Sequence, residues 1–194
     1  MVEISGSGGW LIFSGGILSG LGLLHNLQVV SYWDVRISRF FHRRFNGFLP
    51  IFRTLWLFGK SPALIVILLS LILLNRQTGG WALLFYCVIA VAERAMKMVL
   101  KRQRPFSQLA DVDMHQPSEP HDPSYPSGDA MRLWYLTIIL PSAFSLPVGS
   151  LGMFSVIALV ASLGRIAFGV HFFLDVIGGA GLGLLGAGFF LIAF

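Results

Sequence analysis

Long apolar runs limit what this chain can fold into. They extend from Trp10 to about Val30, densest over Trp10 to Leu24, and from Ser61 to Leu74 with a start reaching back to Trp56. Others run from Gly80 to about Leu100, Gly128 to Ser145, Pro147 to Gly169 and His171 to Phe194. A membrane-crossing helix takes about 20 residues, and lipid satisfies no backbone polar group, so only helices and closed barrels can cross. The runs are continuous and lack period-2 alternation, which argues against a barrel. The sequence therefore predicts an all-α fold, a six-transmembrane-helix bundle. Between helices 1 and 2, Ser31 to Lys60 mixes Arg36, Arg39, Arg43, Arg44, Arg53 and Lys60 with Phe40, Phe41, Phe48, Leu55 and Trp56. This reads as an amphipathic interfacial segment, where rings and long basic stems snorkel to the headgroups.

Composition agrees. Of 194 residues, 12% are charged, against about 25% in a soluble domain. That argues against a soluble globular enzyme, a disordered chain and a nucleic-acid-binding arm. Six spans leave no room for another soluble domain, so residues 1–194 read as one membrane domain. Met1 to Gly9 lacks a basic n-region, so no secretory signal peptide is expected. Cys87 is the lone cysteine; it lies in an apolar run and is expected to be inert packing. Gly16 with Gly20, and Gly179 with Gly183, fit the small-xxx-small pattern of close helix contact, although glycine is common in membrane helices generally.

The polar breaks in these runs carry the chemistry. Glu93, Arg94, Lys97, Asp129, Arg132, Arg165, His171 and Asp175 lie within or at the edge of spans, where ionisable groups are costly and mark function. Threading six spans puts Lys97, Arg104, Ser127, Arg165, His171 and Asp175 at one membrane face. Lys97 and Arg104 are two helical turns apart, and Pro105 biases Arg104 out of helical dihedrals, so Arg104 reaches back from just past the helix end. Alone, the pair also suits a snorkelling collar. Ser127 suits an N-cap, and the N–H groups after it, with Gly128, suit an anion; a simple cap is the plainer alternative. His171 and Asp175 are i, i+4, which lets a carboxylate orient an imidazole nucleophile, and Arg165 offers a planar fork for phosphate oxygens. A polar helix contact is the alternative for these three. Together the cations, the helix N-terminus and the buttressed histidine suit phosphoryl transfer. Glu93 and Lys97, also i, i+4, are expected to pair or to make a polar helix contact, and Arg132 to meet a headgroup or line the mouth. Asp111, Asp113, His115, His121 and Asp122 are better read as a solvated loop than as a metal cage, so no metal is expected.

These residues resemble the type 2 phosphatidic acid phosphatase family, integral-membrane lipid phosphatases related to vanadium haloperoxidases. Its K-x6-R-P is matched by Lys97, Arg104 and Pro105, its P-S-G-H by Pro126, Ser127, Gly128 and Asp129, and its S-R-x5-H-x3-D by Gly164, Arg165, His171 and Asp175. The motifs span residues 97–175. The resemblance implies that Lys97, Arg104, Ser127, Gly128 and Arg165 bind the phosphate. It also implies that His171 attacks phosphorus to give a phosphohistidine and that Asp175 orients His171. No metal or cofactor is implied. The implied partners are a lipid phosphate or diphosphate substrate and the surrounding membrane lipids, with no nucleic acid. Phosphatidic acid, phosphatidylglycerophosphate and polyprenyl diphosphate are the substrate types, and a multi-pass protein of a bacterial inner membrane is the setting.

Two positions depart from the pattern. Gly164 replaces a serine. Asp129 replaces the histidine assigned as general acid. Asp129 could itself be the acid, or the leaving group could need little protonation, as with a diphosphate. Alternatively, the chain could be an impaired lipid-phosphate binding protein. A phosphotransferase would use the same residues. Basic residues gather on the site side as Arg36, Arg39, Arg43, Arg44, Arg53, Lys60, Lys101 and Arg102, with Arg76 opposite. The positive-inside rule then favours a cytoplasmic site, whereas the family's bacterial members imply the outer face.

Overall fold

The computed structural model describes residues 7–193. Residue 194, at the end of the sixth expected segment, and residues 1–6 of the leader reading lie outside that range. The chain forms α1 (Gly8–Leu23), α2 (Gln28–Arg44), α3 (Leu49–Trp56), α4 (Ser61–Leu74), α5 (Arg76–Leu100), the single turn α6 (Pro105–Gln108), α7 (Gly128–Ala143), α8 (Val148–Ala167) and α9 (Phe173–Ala193). Local chemistry sets their ends. Asn75 Oδ1 accepts from the N–H groups of Gln77 and Thr78, both at 3.1 Å, and so starts α5. Lys101 turns left-handed at φ 47° and stops it. Pro50 and Pro62 sit in the first turns of α3 and α4, where no N–H is needed.

Against the six spans that the sequence suggests, three helical stretches are long and apolar enough to cross a membrane: Gly8–Asn26, Val148–Ala167 and Phe173–Ala193. A fourth joins them if Asn46–Gly59 and Ser61–Leu74, bent by 48° at Lys60, count as one. α5 has the length but carries Arg76, Glu93, Arg94 and Lys97, and α7 has only 16 residues. The site's own charges and caps are what interrupt these two apolar runs.

α9 is the hub, packed on α1, α5 and α7. It runs antiparallel to α1, with Gly8 against Gly188, Gly15 against Gly181 and Gly22 against Gly178. A Cβ at Gly15 would lie 2.6 Å from the Gly181 carbonyl oxygen, so backbone meets backbone there. The α1 contact thus uses Gly8, Gly15 and Gly22 rather than Gly16 and Gly20, which face open space. Gly179 and Gly183 do make close contacts, but against Ser127 and Met131 of the α7 segment. Leu64, Leu68, Ile89, Met131, Tyr135, Ile139 and Phe190 fill the core between α4, α5, α7 and α9. Cys87 is exposed on α5 and not packed in the core.

The segment between α1 and α4 is amphipathic, with an unexpected orientation. On α2, Tyr32, Trp33 and Phe40 point outward, while Asp34, Ser38 and His42 are buried. A polar stripe at i, i+4, i+8 therefore faces the protein.

Candidate active site

The end of α5, the starts of α4, α7 and α9, and the end of α8 converge around a cavity of about 250 Å3. Its wall includes Lys60, Lys97, Arg104, Asp122, Gly128, Asp129, Arg132, Arg165 and His171. Most residues singled out from the sequence are thus gathered in one place, with Ser127 and Asp175 buried close behind them.

Lys97 occupies the last turn of α5. Its Nζ pairs with Glu93 Oε1 at 2.5 Å, the expected i, i+4 contact, and with Asp122 Oδ2 at 2.5 Å. Arg104 is extended, with ψ 153°, as the following proline requires. Its Nε donates to the Asp122 carbonyl, its Nη1 to the Val170 carbonyl and its Nη2 to Asp122 Oδ1, each at 2.8 Å. Asp122, which the sequence reads as part of a solvated loop, instead joins two of the expected phosphate ligands. Burial alone would raise its carboxyl, but Lys97 and Arg104 override that and hold it at about 2.

Ser127 caps α7, with Oγ accepting from the Ala130 N–H at 3.4 Å, and its own N–H donates to the Asp175 carbonyl at 2.9 Å. Gly128 sits close under the tips of two side chains. A Cβ there would lie 2.7 Å from Glu93 Oε1 and 3.2 Å from Arg132 Nη1. Arg165 is 3% exposed. Its Nη2 meets Asp129 Oδ2 at 2.9 Å and also donates to Gln116 Oε1. Its Nε and Nη1 are buried without a hydrogen-bond partner among the described residues.

His171 lies in the turn before α9, not on a helical face with Asp175. The turn requires Gly169, which has φ 71° and whose Cβ would lie 2.5 Å from the Asp113 carbonyl oxygen. His171 Nδ1 is 3.7 Å from Asp175 Oδ2, longer than a hydrogen bond. Ser124 stands between them, donating to Asp175 Oδ2 at 2.5 Å with its Oγ 3.4 Å from His171 Nδ1. The Phe172 N–H also donates to Asp175 Oδ2, at 2.8 Å. His171 Nε2 is 3.2 Å from Arg104 Nη1. Burial, reinforced by the Arg104 cation, lowers the His171 imidazole to about 3. The neutral imidazole is thus favoured at physiological pH.

Both departures from the motifs have a local cause. Asp129 meets three cations: Arg132 at 2.5 Å, Arg165 at 2.9 Å and Lys60 at 3.1 Å. Lys60, read as part of the basic collar, and Arg132, read as a mouth charge, are its counter-ions. At Gly164, a Cβ would lie 2.9 Å from Phe52 Cδ1, so the α3 ring occupies the space that a serine would need. Arg102, also read as collar, is 9% exposed and bridges Asp34 at 2.5 Å and Asp175 at 2.6 Å. Nothing in the linear spacing flags Asp122, Ser124, Gln116 or Lys60. The buried stripe on α2 was the one legible signal for Asp34.

Span-length apolar helices, closed at one end over a cation-lined cavity with a neutral histidine, define a membrane protein equipped to hold a small anion. The chain belongs to the PAP2 superfamily, which its residues 78–194 match. Its structure resembles that of the first transmembrane PAP2 type phosphatidylglycerolphosphate phosphatase from Bacillus subtilis, with TM-score 0.70 and 23% identity over 94% of this chain and 93% of that one. It also resembles Aquifex aeolicus LpxE, with TM-score 0.66 and 24% identity over 82% of this chain and 94% of that one. No curated protein matches the sequence.

Proposed function

We infer that the protein is a membrane lipid phosphatase that hydrolyses a phosphate or diphosphate monoester through a phosphohistidine on His171. The observation that carries this reading is Arg165, a buried guanidinium with Nε and Nη1 unpartnered on the wall that also holds neutral His171. Burying such donors costs energy unless something accepts from them, and a phosphoryl oxygen fits the fork. Lys97, Arg104 and the N–H of Gly128 would share the other oxygens, with Ser127 fixing the helix start that presents them. The Nε2 of His171 attacks phosphorus as the bond to the leaving oxygen breaks. Water then attacks phosphorus and the P–N bond breaks, releasing phosphate and free His171. Asp175, through Ser124, keeps Nδ1 turned away from the cavity. No metal or cofactor enters these steps.

Asp129 bears on the substrate. Its carboxylate is engaged by three cations, an arrangement that suits a fixed anion rather than a proton donor. A leaving group that needs little protonation fits better, so a lipid diphosphate, whose leaving group is a phosphate monoester, should outrun a simple monophosphate. Lys60 and Arg132 on the same wall would face the second phosphate. In this reading α1, the bent α3–α4 pair, α5, α7, α8 and α9 cross the membrane, with α2 lying at the interface. The Bacillus protein's name supports a lipid phosphate as substrate.

The test is phosphate release by purified protein in mixed micelles. It compares phosphatidic acid, phosphatidylglycerophosphate and a polyprenyl diphosphate, with His171→Ala as control. Release from at least one lipid, fastest from the diphosphate and lost in the variant, is expected. No release from any of them would contradict the assignment. Equal rates on diphosphate and monophosphate would remove the preference.

A further inference from the structure

The turn that carries His171 is gripped from outside the three motifs. Three side chains of α2, one turn apart, reach the two helix ends that flank it. The Leu174 N–H donates to Asp34 Oδ1 and the Phe173 N–H to Ser38 Oγ, both at 2.9 Å. Both N–H groups belong to the first turn of α9, where the helix cannot satisfy them itself. On the other side, His42 Nδ1 lies 2.9 Å from the Ala167 carbonyl, the last residue of α8. That carbonyl can only accept, so Nδ1 donates. One helix face thus caps the end of α8 and the start of α9 together, and the residues between those caps include His171.

Arg102 extends this grip to the dyad itself. Its guanidinium spans two carboxylates whose side chains have no exposed surface, with Nη2 on Asp34 Oδ2 and Nη1 on Asp175 Oδ1. It also stacks 4.2 Å above the Phe172 ring, next to the nucleophile. Its carbonyl accepts from the Ser124 N–H at 2.8 Å, which fixes the residue between Asp175 and His171. Asp175 uses Oδ2 for Ser124 and the Phe172 N–H, so Arg102 is the partner of its other oxygen. A buried carboxylate is held firmly only when both oxygens are engaged.

We propose that Asp34 and Arg102 are positioning residues, through which the interfacial helix α2 holds the His171–Asp175 pair in its working geometry. They act through Asp175 and the α9 cap and do not touch substrate. The α2 face opposite the stripe bears exposed Tyr32, Trp33 and Phe40, so the brace is anchored in the amphipathic segment. The proposal rests on His171 being the nucleophile.

Its test uses the full chain in the same mixed micelles, with kcat and KM measured separately. Asp34→Asn keeps the shape and the acceptor for the Leu174 N–H but removes the charge facing Arg102. It should lower kcat about tenfold while KM stays within about twofold, because misplacing a reacting group costs turnover and not substrate binding. Arg102→Gln should lower kcat by about tenfold to a hundredfold, with Arg102→Lys recovering part of the loss. The decisive comparison is Arg102→Gln combined with Asp175→Asn. If Arg102 works through Asp175, the double variant should be within about twofold of Asp175→Asn alone. Losses that multiply, or Asp34→Asn and Arg102→Gln variants with wild-type kcat, would overturn the proposal. Should the Arg102 variants not fold, Asp34→Asn decides alone. His171→Ala separates the two levels. An inactive His171→Ala beside an unaffected Asp34→Asn removes the brace and keeps the nucleophile. An active His171→Ala removes the nucleophile itself.

Discussion

Asp122 and Asp129 line one cavity and hold different sets of cations there. Asp122 comes from the long loop after α6, its side chain is 36% exposed, and it sits on Lys97 and Arg104. Asp129 belongs to the first turn of α7, its side chain is 6% exposed, and it sits among Lys60, Arg132 and Arg165. A solvent-reached carboxylate on a loop can yield its cations to an incoming phosphate. A buried one wedged among three cations cannot leave without stranding them. Under the proposed function, the first would be a displaceable stand-in for substrate oxygens and the second a permanent part of the wall. Arg165 meets Asp129 through Nη2 alone, and its Nε and Nη1 have no hydrogen-bond partner among the described residues.

This contrast can be broken experimentally, beginning with the buried side. Asp129→Ala leaves three cations facing one another and should cost about 3–5 kcal/mol of stability, read as a large fall in melting temperature in detergent. A melting temperature equal to wild type would mean that Asp129 is as dispensable as Asp122. The next effect is pH dependence. His171 titrates near 3 in the folded protein against 6.5 ordinarily, so the unfolded chain takes up a proton between pH 7 and 5 that the folded chain does not. Stability should therefore fall as pH drops through that window, by about 1–2 kcal/mol more in wild type than in His171→Asn. Parallel melting curves for the two would show that His171 is not held neutral. Lys60→Met removes the partly exposed cation from Asp129 and should cost about 1 kcal/mol. It should slow diphosphate turnover more than monophosphate turnover, and equal slowing would remove Lys60 from the second phosphate. The smallest effect belongs to the loop. Asp122→Asn should leave the melting temperature nearly unchanged, and inorganic phosphate should inhibit it about threefold more tightly. Weaker inhibition would make Asp122 a fixed ligand, like Asp129.

Much of the site could be read from spacing alone. Lys97, Arg104, Gly128, Asp129, Arg165 and His171, all singled out from the sequence, line one cavity. The all-α class followed from the apolar runs. What escaped were contacts that depend on which way a polar residue turns. Lys60 and Arg102 look like neighbours of Arg53 and Lys101 in the sequence, yet both are drawn inward by buried carboxylates. Asp122 looks like loop solvation until the loop folds back over Lys97. The i, i+4 spacing suggested a helical dyad for His171 and Asp175, but Gly169 and the turn after it place Ser124 between them. Three or four of the six expected spans are long and apolar enough to cross by length and composition; α5 falls short because it carries charges, and α7 because it is short.

The central claim is that His171 is the nucleophile of a lipid phosphatase. It is tested most directly by phosphate release from the best lipid substrate, comparing wild type with His171→Ala at matched folded concentration. Turnover should fall by at least about a thousandfold, because the oxyanion ligands alone cannot replace the attacking nitrogen. A His171→Ala variant that keeps turnover within about tenfold of wild type would contradict the account.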